Sequence, residues 1–444
     1  MTQALPVDPV PSDAKLPQRA GVVVIGGGIA GSSAALALAE SGVPVVLCDK
    51  GRIGAEQSSR NWGWCRKMGR DPRELPLMLE SLRLWRGMNE RVGSETGFRQ
   101  HGVLYLIGDE KGLAKRQAWL KSAEAFQIDT RLLSGAEAEA LAPGGTRRWL
   151  AGLHTPSDGS AEPQKAAPAI AAAARKRGAV IMTDCAVRGI ETSAGRVSAA
   201  VTEKGRVACD AVLLAGGAWS GLFCRSLDIR LPQLKVRASV MRTAPIDGGP
   251  GNAASGPGFG LRKRLDGGYT LANSGANYHD IGPDSFRFLF DFIPALRLEH
   301  SRLVLGFGQR FFAEWSLAKP WALDQTSPFE RVRVLDPPPV ESQLAAARAT
   351  VGGIWPALKD MKVAGSWAGY IDATPDMLPV ISPVERLPGL FLATGFSGHG
   401  FGIGPGAGRL AADLVMGRPA IVDPAPFRFS RFSDGTKIQP IAGI

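Results

Sequence analysis

GVVVIGGGIAGSSAALALAESGVPVVLCDK, Gly21 to Lys50, reads as strand, glycine turn, helix and strand. Gly21 to Ile25 is a continuous run rich in valine and isoleucine, the pattern of a parallel strand buried on both faces. Gly26, Gly28 and Gly31 supply GxGxxG. The first allows the tight turn, the second lets a pyrophosphate approach the backbone, and the third packs helix against strand. The spacing predicts a helix over Ser32 to Ser41, stopped by Gly42, and a second strand over Val43 to Cys48. Asp49 ends that strand 21 residues after Gly28, where an acid accepts hydrogen bonds from ribose hydroxyls. Together these features define a dinucleotide site. Asp49 disfavours NADP, whose extra phosphate wants an arginine, but does not separate FAD from NAD. Val22 to Ala39 is also uncharged and reaches the lower limit of a membrane span, about 18 residues. Its three consecutive glycines weaken any helix there, so no span is expected.

The whole chain has 444 residues, 45% apolar and 21% charged, which suits a globular protein of two or three domains. Cys48, Cys65, Cys185, Cys209 and Cys224 are scattered without a CxxC pair, implying reduced thiols in a cytoplasmic setting. The five histidines are scattered too, and no HExxH appears, which argues against a metal site. The net charge of +11 is spread along the sequence, with its densest cluster at Arg262 to Arg264. That argues for a solvated basic surface and against nucleic-acid binding, and leaves peripheral contact with the inner face of a membrane open. Residues 1–20 are proline-rich and polar, lack the apolar core of a signal peptide, and are read as a flexible arm.

A classical NAD domain continues as alternating strands and helices, but GRIGAEQSSRNWGWCRKMGRDPRELPL is loop-like. Glu162 to Arg177 reads as an alanine-rich helix and Ala179 to Thr183 as a strand. RVSAAVTEKGRVACDAVLLAGGAWS gives two strands around Glu203-Lys204-Gly205, then the buried run Val212 to Leu214, and ends in glycines that let a second segment approach the cofactor. Near the C-terminus, TGFSGHGFGIGPGAG (Thr394 to Gly408) holds seven glycines and His399. So bare a backbone must pack against something that a side chain would hold off.

These motifs, with IGAEQSSRNWG and GYIDATPDMLPVISP, resemble the D-amino-acid oxidase superfamily of FAD-dependent oxidoreductases. The likeness is to its sarcosine- and glycine-oxidase-like branch, and RNWGWCRKMGRD and WAGYIDATPDMLPVI look like its bacterial amine and amino-acid dehydrogenases. The resemblance implies an α/β fold, α+β overall: a Rossmann-like FAD-binding domain of the glutathione-reductase type with an inserted antiparallel-sheet substrate domain. The expected FAD-binding segments are 21–83, 150–234 and 351–432; the substrate segments are 84–149 and 235–350, with strands at Tyr269 to Asn273 and Leu303 to Gln309. Non-covalent FAD is implied, contacted at Gly26, Gly28, Ile29, Ala30, Gly31, Asp49, Lys50, Ser58, Ser59, Arg60 and Asn61. Further implied contacts are Val187, Gly216, Trp219, Gly395, Gly398, His399, Gly400, Phe401 and Gly402. The glycine-rich stretch and the N-terminus of a helix after Pro405 are expected to face the pyrimidine end of the flavin, where reduction places negative charge.

The implied reaction is oxidation of a C–N bond in an amine or a secondary or cyclic amino acid to the imine, by hydride transfer to flavin N5, then hydrolysis. Electrons pass on to O2 or a respiratory carrier. The flavin carries the chemistry; His399, Asp372 and Tyr370 are the candidate catalytic side chains. Two departures bear on the substrate. Ile371 stands where relatives carry an arginine that clamps a carboxylate, and Gly369 and Gly402 stand where sarcosine oxidases carry a flavin-linking cysteine and a lysine. Trp62, Trp64, Trp367, Tyr370 and Ile371 remain as pocket candidates, and Arg60, Arg66 and Arg262 as candidates for a carboxylate. Two alternatives stay open: an NAD(P)H-dependent flavin monooxygenase, and a non-catalytic flavin-binding or RNA-associated protein. The sequence leaves the oligomeric state open.

Overall fold

The computed structural model describes residues 6–300, 302–317 and 320–441. Strand β1 (Val22–Ile25) lies between strand β2 (Val45–Cys48) and the Ala211–Leu214 strand, all parallel. Leu390–Thr394 and Val180–Met182 extend the sheet in parallel on either side, and Val380–Pro383 closes one edge antiparallel. Val22 and Val24 face helix α1 (Ile29–Glu40), the Pro163–Lys176 helix and the Gly400–Val415 helix. Val23 and Val46 face the antiparallel meander Val187–Ser193, Arg196–Thr202 and Gly205–Ala208. Both faces are covered, as the β-branched run requires. Val22–Ala39 is thus split into strand, turn and helix, and no helix among the described residues is long and apolar enough to cross a membrane. Helix α1 starts at Ile29 rather than Ser32, because Gly28 acts as its N-cap without needing a side chain.

The loop-like run contains a short helix α2 (Gln57–Arg60) and strand β3 (Trp64–Cys65), and helix α3 (Leu75–Arg86) follows. A larger, mostly antiparallel sheet forms the second half, with Leu234–Thr243 paired along its length to Val363–Ala373. Ala151–Thr155 also belongs to this sheet, paired with Val103–Ile107. Both Ala151–Thr155 and Val363–Ala373 fall outside the expected boundaries 84–149 and 235–350. Pairing partners, not composition, decide which sheet a strand joins. The Leu303 strand ends at Gly306, and Gln309–Leu317 is helical.

Of the N-terminal arm, residues 1–5 lie outside the described residues; the rest is docked rather than loose. Asp13 N–H donates to Ile181 O, Asp13 pairs with Arg175, and Val10 packs on the helical core.

Candidate active site

The turn after β1 opens onto a cavity. Gly26 turns at φ +103°, and a Cβ there would stand 2.5 Å from Ala215 O. A Cβ on Gly31 would stand 2.0 Å from Gly26 O, so helix and strand touch through bare backbone. Gly28, Ile29, Ala30, Ser58 and Asn61 line the cavity, while Gly31 and Ser59 do not. Ser58 Oγ accepts from Ile29 N–H at 2.9 Å. The N-cap Gly28 offers no capping side chain of its own and no acid sits in the first turn of α1, an arrangement that receives a phosphate.

At the β2 end, Asp49, Lys50, Val187, Gly216 and Trp219 all line the wall. Asp49 already accepts Gly27 N–H at 2.7 Å and Gly51 N–H at 2.8 Å, so it shapes both turns and meets a ribose only through its remaining lone pairs. Lys50 is spent on Glu56 at 2.6 Å and on two carbonyls. The same Glu56 takes the Trp219 indole N–H at 3.1 Å. Glu56 lies within IGAEQSSRNWG but was not among the expected contacts, because nothing in that stretch marks the lysine and indole it meets.

At the other end, Gly398, Gly400 and Phe401 line the cavity. The helix here begins at Gly400, five residues before the expected start, and Pro405 lies inside it. Proline removes one backbone donor. Ser81 Oγ spans the opened turn, donating to Gly402 O at 2.7 Å and accepting Gly406 N–H at 3.1 Å. Gly402 packs on β3, where a Cβ would stand 3.1 Å from Trp64 O. Gly395, at φ +72°, gives its N–H to Asp372 at 2.7 Å. Asp372 lines the wall, and burial pushes its carboxyl up to about 6. Tyr370 also lines it; its hydroxyl donates to Asp280 at 2.9 Å, and Arg310 lies 3.6 Å over its ring.

Two arginines expected to hold cofactor or substrate are otherwise engaged. Arg60 is buried, donating to Ala55 O, Ala368 O and Asp336. Arg262, 2% exposed, forms a bidentate pair with Glu162 at 2.9 and 3.1 Å; both are structural because a buried guanidinium takes the nearest carboxylate or carbonyl. Trp367 is buried with its N–H on Arg60 O. Trp62 and Trp64 meet edge to face at 5.3 Å, and Ile371 lies beside Gly398.

Arg66 differs. Its guanidinium lies over the Trp64 and Tyr105 rings and donates to Met68 O. Arg70, buried, and Arg116, whose guanidinium lies 5.6 Å from the centre of the Tyr105 ring, accompany it. None of the three has a carboxylate within ion-pair distance among the described residues, and Arg70 Nη1, Arg116 Nε and Trp64 Nε1 are buried without partners. Burial lowers the Arg70 guanidinium to about 10. His399, the residue before the Gly400–Val415 helix, points its Nδ1 at Glu74 Oε2, 3.0 Å away. It does not line the cavity, although Gly398 and Gly400 on either side do.

The bare Gly28 cradle, the acid-free first turn of α1 and the orphaned Gln57 Oε1 on the cavity wall fit FAD, held by the residues named above. Bound there, FAD supplies a two-electron acceptor for substrate hydride. Fold and site define a dinucleotide-dependent oxidoreductase. The chain belongs to the FAD dependent oxidoreductase family, whose model matches residues 21–414, in the sarcosine- and glycine-oxidase-like branch. It is 24% identical to glycine oxidase of Pseudomonas aeruginosa over 91% of this chain and 97% of that one. It is 26% identical to mitochondrial sarcosine dehydrogenase of Mus musculus over 91% of its length, which spans only 40% of that protein. The solved L-amino acid deaminase from Proteus myxofaciens, in complex with anthranilate, superposes with a TM-score of 0.92. That match has 34% identity and covers 98% of this chain and 97% of that one.

Proposed function

We propose that this enzyme oxidises the C–N bond of an amino acid to the imine, which water then hydrolyses, and that Arg66 holds the substrate carboxylate. The similarity to an L-amino acid deaminase and a glycine oxidase supports the reaction class. The observation that carries the substrate assignment is the group of three arginines without carboxylate partners beside the start of the Gly400–Val415 helix. A buried or half-buried guanidinium group without an anion is costly, and a substrate carboxylate supplies that anion where Ile371 has replaced the usual arginine. Trp62, Trp64 and Ile371 provide apolar walls for the side chain.

Arg66→Met tests this. A charge-assisted hydrogen bond contributes ~1.5–3 kcal/mol, so amino-acid affinity for the oxidised enzyme should fall ~10–100-fold. Arg66→Lys should recover part of it, and binding of the decarboxylated amine should be unchanged. Equal loss for acid and amine, or no loss, contradicts the assignment.

A second observation bears on the electron acceptor. Large apolar side chains between Phe286 and Trp315 are exposed, Phe290 by 83% and Trp315 by 63%, and Arg287, Arg297 and Arg302 are exposed among them. Aromatic and basic groups mixed in this way favour peripheral contact with an anionic bilayer and a respiratory carrier within it. The protein should pellet with phosphatidylglycerol vesicles, and Phe290→Ser with Phe312→Ser should release it. Equal pelleting of the double variant contradicts the reading.

A further inference from the structure

His399 is the turn residue that precedes the Gly400–Val415 helix, three positions before Gly402, which packs on β3. Its ring does not line the cavity itself but lies close enough to Arg70 and Arg66 for their charges to act on it. Nδ1 faces Glu74 Oε2 at 3.0 Å, and Nε2 has no hydrogen-bond partner among the described residues. Glu74 precedes α3, is fully buried, and has its second oxygen unpartnered. A buried acid facing a largely buried imidazole has no stabilising need that a neutral side chain would not meet more cheaply. The charged groups facing the ring are Glu74 at the start of α3 and Arg70 and Arg66 between β3 and α3; Cys65 on β3 adds a buried thiol.

We propose that His399 Nε2 accepts the ammonium proton of the substrate and that Glu74 is the positioning residue that fixes the imidazole as the Nδ1–H tautomer. The inference rests on the amino-acid reading above. An ionised carboxylate only accepts hydrogen bonds, so the nitrogen facing it must carry the proton and the other must hold the lone pair. Burial pushes the Glu74 carboxyl up, but His399 and Arg70 more than offset it and keep it below its ordinary value. Burial and the Arg70 guanidinium hold the His399 imidazole below its usual value against the opposing pull of Glu74. The ring is thus neutral and receptive near pH 7.

An amino acid enters as a zwitterion, and an ammonium nitrogen has no lone pair to stabilise the developing iminium. One substrate N–H bond breaks and an Nε2–H bond forms, leaving the free amine. With FAD held in the cavity, that amine would give up its α-hydrogen with its bonding pair to the flavin, leaving an iminium that one water would hydrolyse to the carbonyl product and ammonium. The substrate carboxylate on Arg66 brings the negative charge that lets His399 become cationic beside two arginines.

The first test uses the holoenzyme labelled with 15N-histidine. The His399 resonances, assigned by their loss in His399→Asn, should report the Nδ1–H tautomer; an Nε2–H tautomer overturns the proposal. The second is the pH profile of anaerobic flavin reduction by L-phenylalanine and L-proline. The wild type should show an acid limb set by His399. Glu74→Gln should move that limb to lower pH, because it removes the charge that favours the imidazolium. His399→Asn should abolish the limb and slow reduction at pH 7 by ~100-fold or more. An acid limb that persists unmoved in both variants overturns the proposal even if rates fall. If neither amino acid reduces the flavin, the substrate reading fails, and the tautomer result still decides the role of Glu74.

Discussion

Gly28→Val should give a folded protein that purifies without yellow colour. Gly28 has φ −70° and ψ 179°, an extended conformation that valine adopts without strain. The nearest atom to a Cβ there is Ser58 Oγ at 3.0 Å, the end of a side chain that can turn aside. Fold and circular dichroism should therefore survive. The added isopropyl group, however, fills the space through which a pyrophosphate reaches the first turn of α1. Losing two charge-assisted backbone contacts at ~1.5–3 kcal/mol each weakens FAD binding by ~100-fold or more, read by titrating FAD into the colourless protein. Gly31→Ala is the contrasting case. Its Cβ would press to 2.0 Å from Gly26 O, so strand and helix must part and the protein should lose stability as well as cofactor. If Gly28→Val bound FAD normally, the turn would not be the pyrophosphate site.

The second large effect lies away from the cofactor cavity. Arg262 ties Trp62 O at 2.8 Å and the Glu162 carboxylate together, and Glu162 also takes Leu265 N–H at 2.9 Å. The pair joins the start of the Pro163–Lys176 helix to the large sheet, so it clamps the two halves of the molecule. Arg262→Met leaves the buried Glu162 carboxylate only Arg264, at 3.6 Å, and the Leu265 N–H, and should cost up to ~3–5 kcal/mol in denaturant unfolding. Arg262→Met with Glu162→Met should recover most of that loss, because no charge is left unpaired. Burial raises the Glu162 carboxyl, but Arg262 and its neighbours more than compensate and lower it to about 2, below its unfolded value of ~4.3. Its contribution is therefore present above pH ~4.3 and drains away as the pH falls toward about 2. The wild type should lose stability over that window more steeply than the double variant.

What the sequence made legible was local. From β1 through β2, strand, turn and helix follow from neighbours within a few residues, so the glycines and Asp49 could be placed in advance. The Glu74–His399 contact spans 325 positions and Glu162–Arg262 spans 100; no spacing rule joins such pairs. Arg60 and Arg262 looked free because an arginine in sequence carries no sign of the carboxylate that will meet it. The resemblance implied a helix after Pro405, but Ser81 from α3 bridges the turn that Pro405 opens, and the helix begins at Gly400. The strands Ala151–Thr155 and Val363–Ala373 lie in expected FAD-binding segments yet pair into the large sheet, because segment boundaries in sequence do not show pairing partners.

The most direct test of the central claim is the visible spectrum of the purified protein, mixed anaerobically with amino acids, with their decarboxylated amines and, separately, with NADPH. Bleaching of the flavin band by amino acids, weaker or absent with the amines and absent with NADPH, is the predicted result. Bleaching by NADPH alone, or a band that no amine or amino acid alters, would contradict C–N oxidation as the reaction of this enzyme.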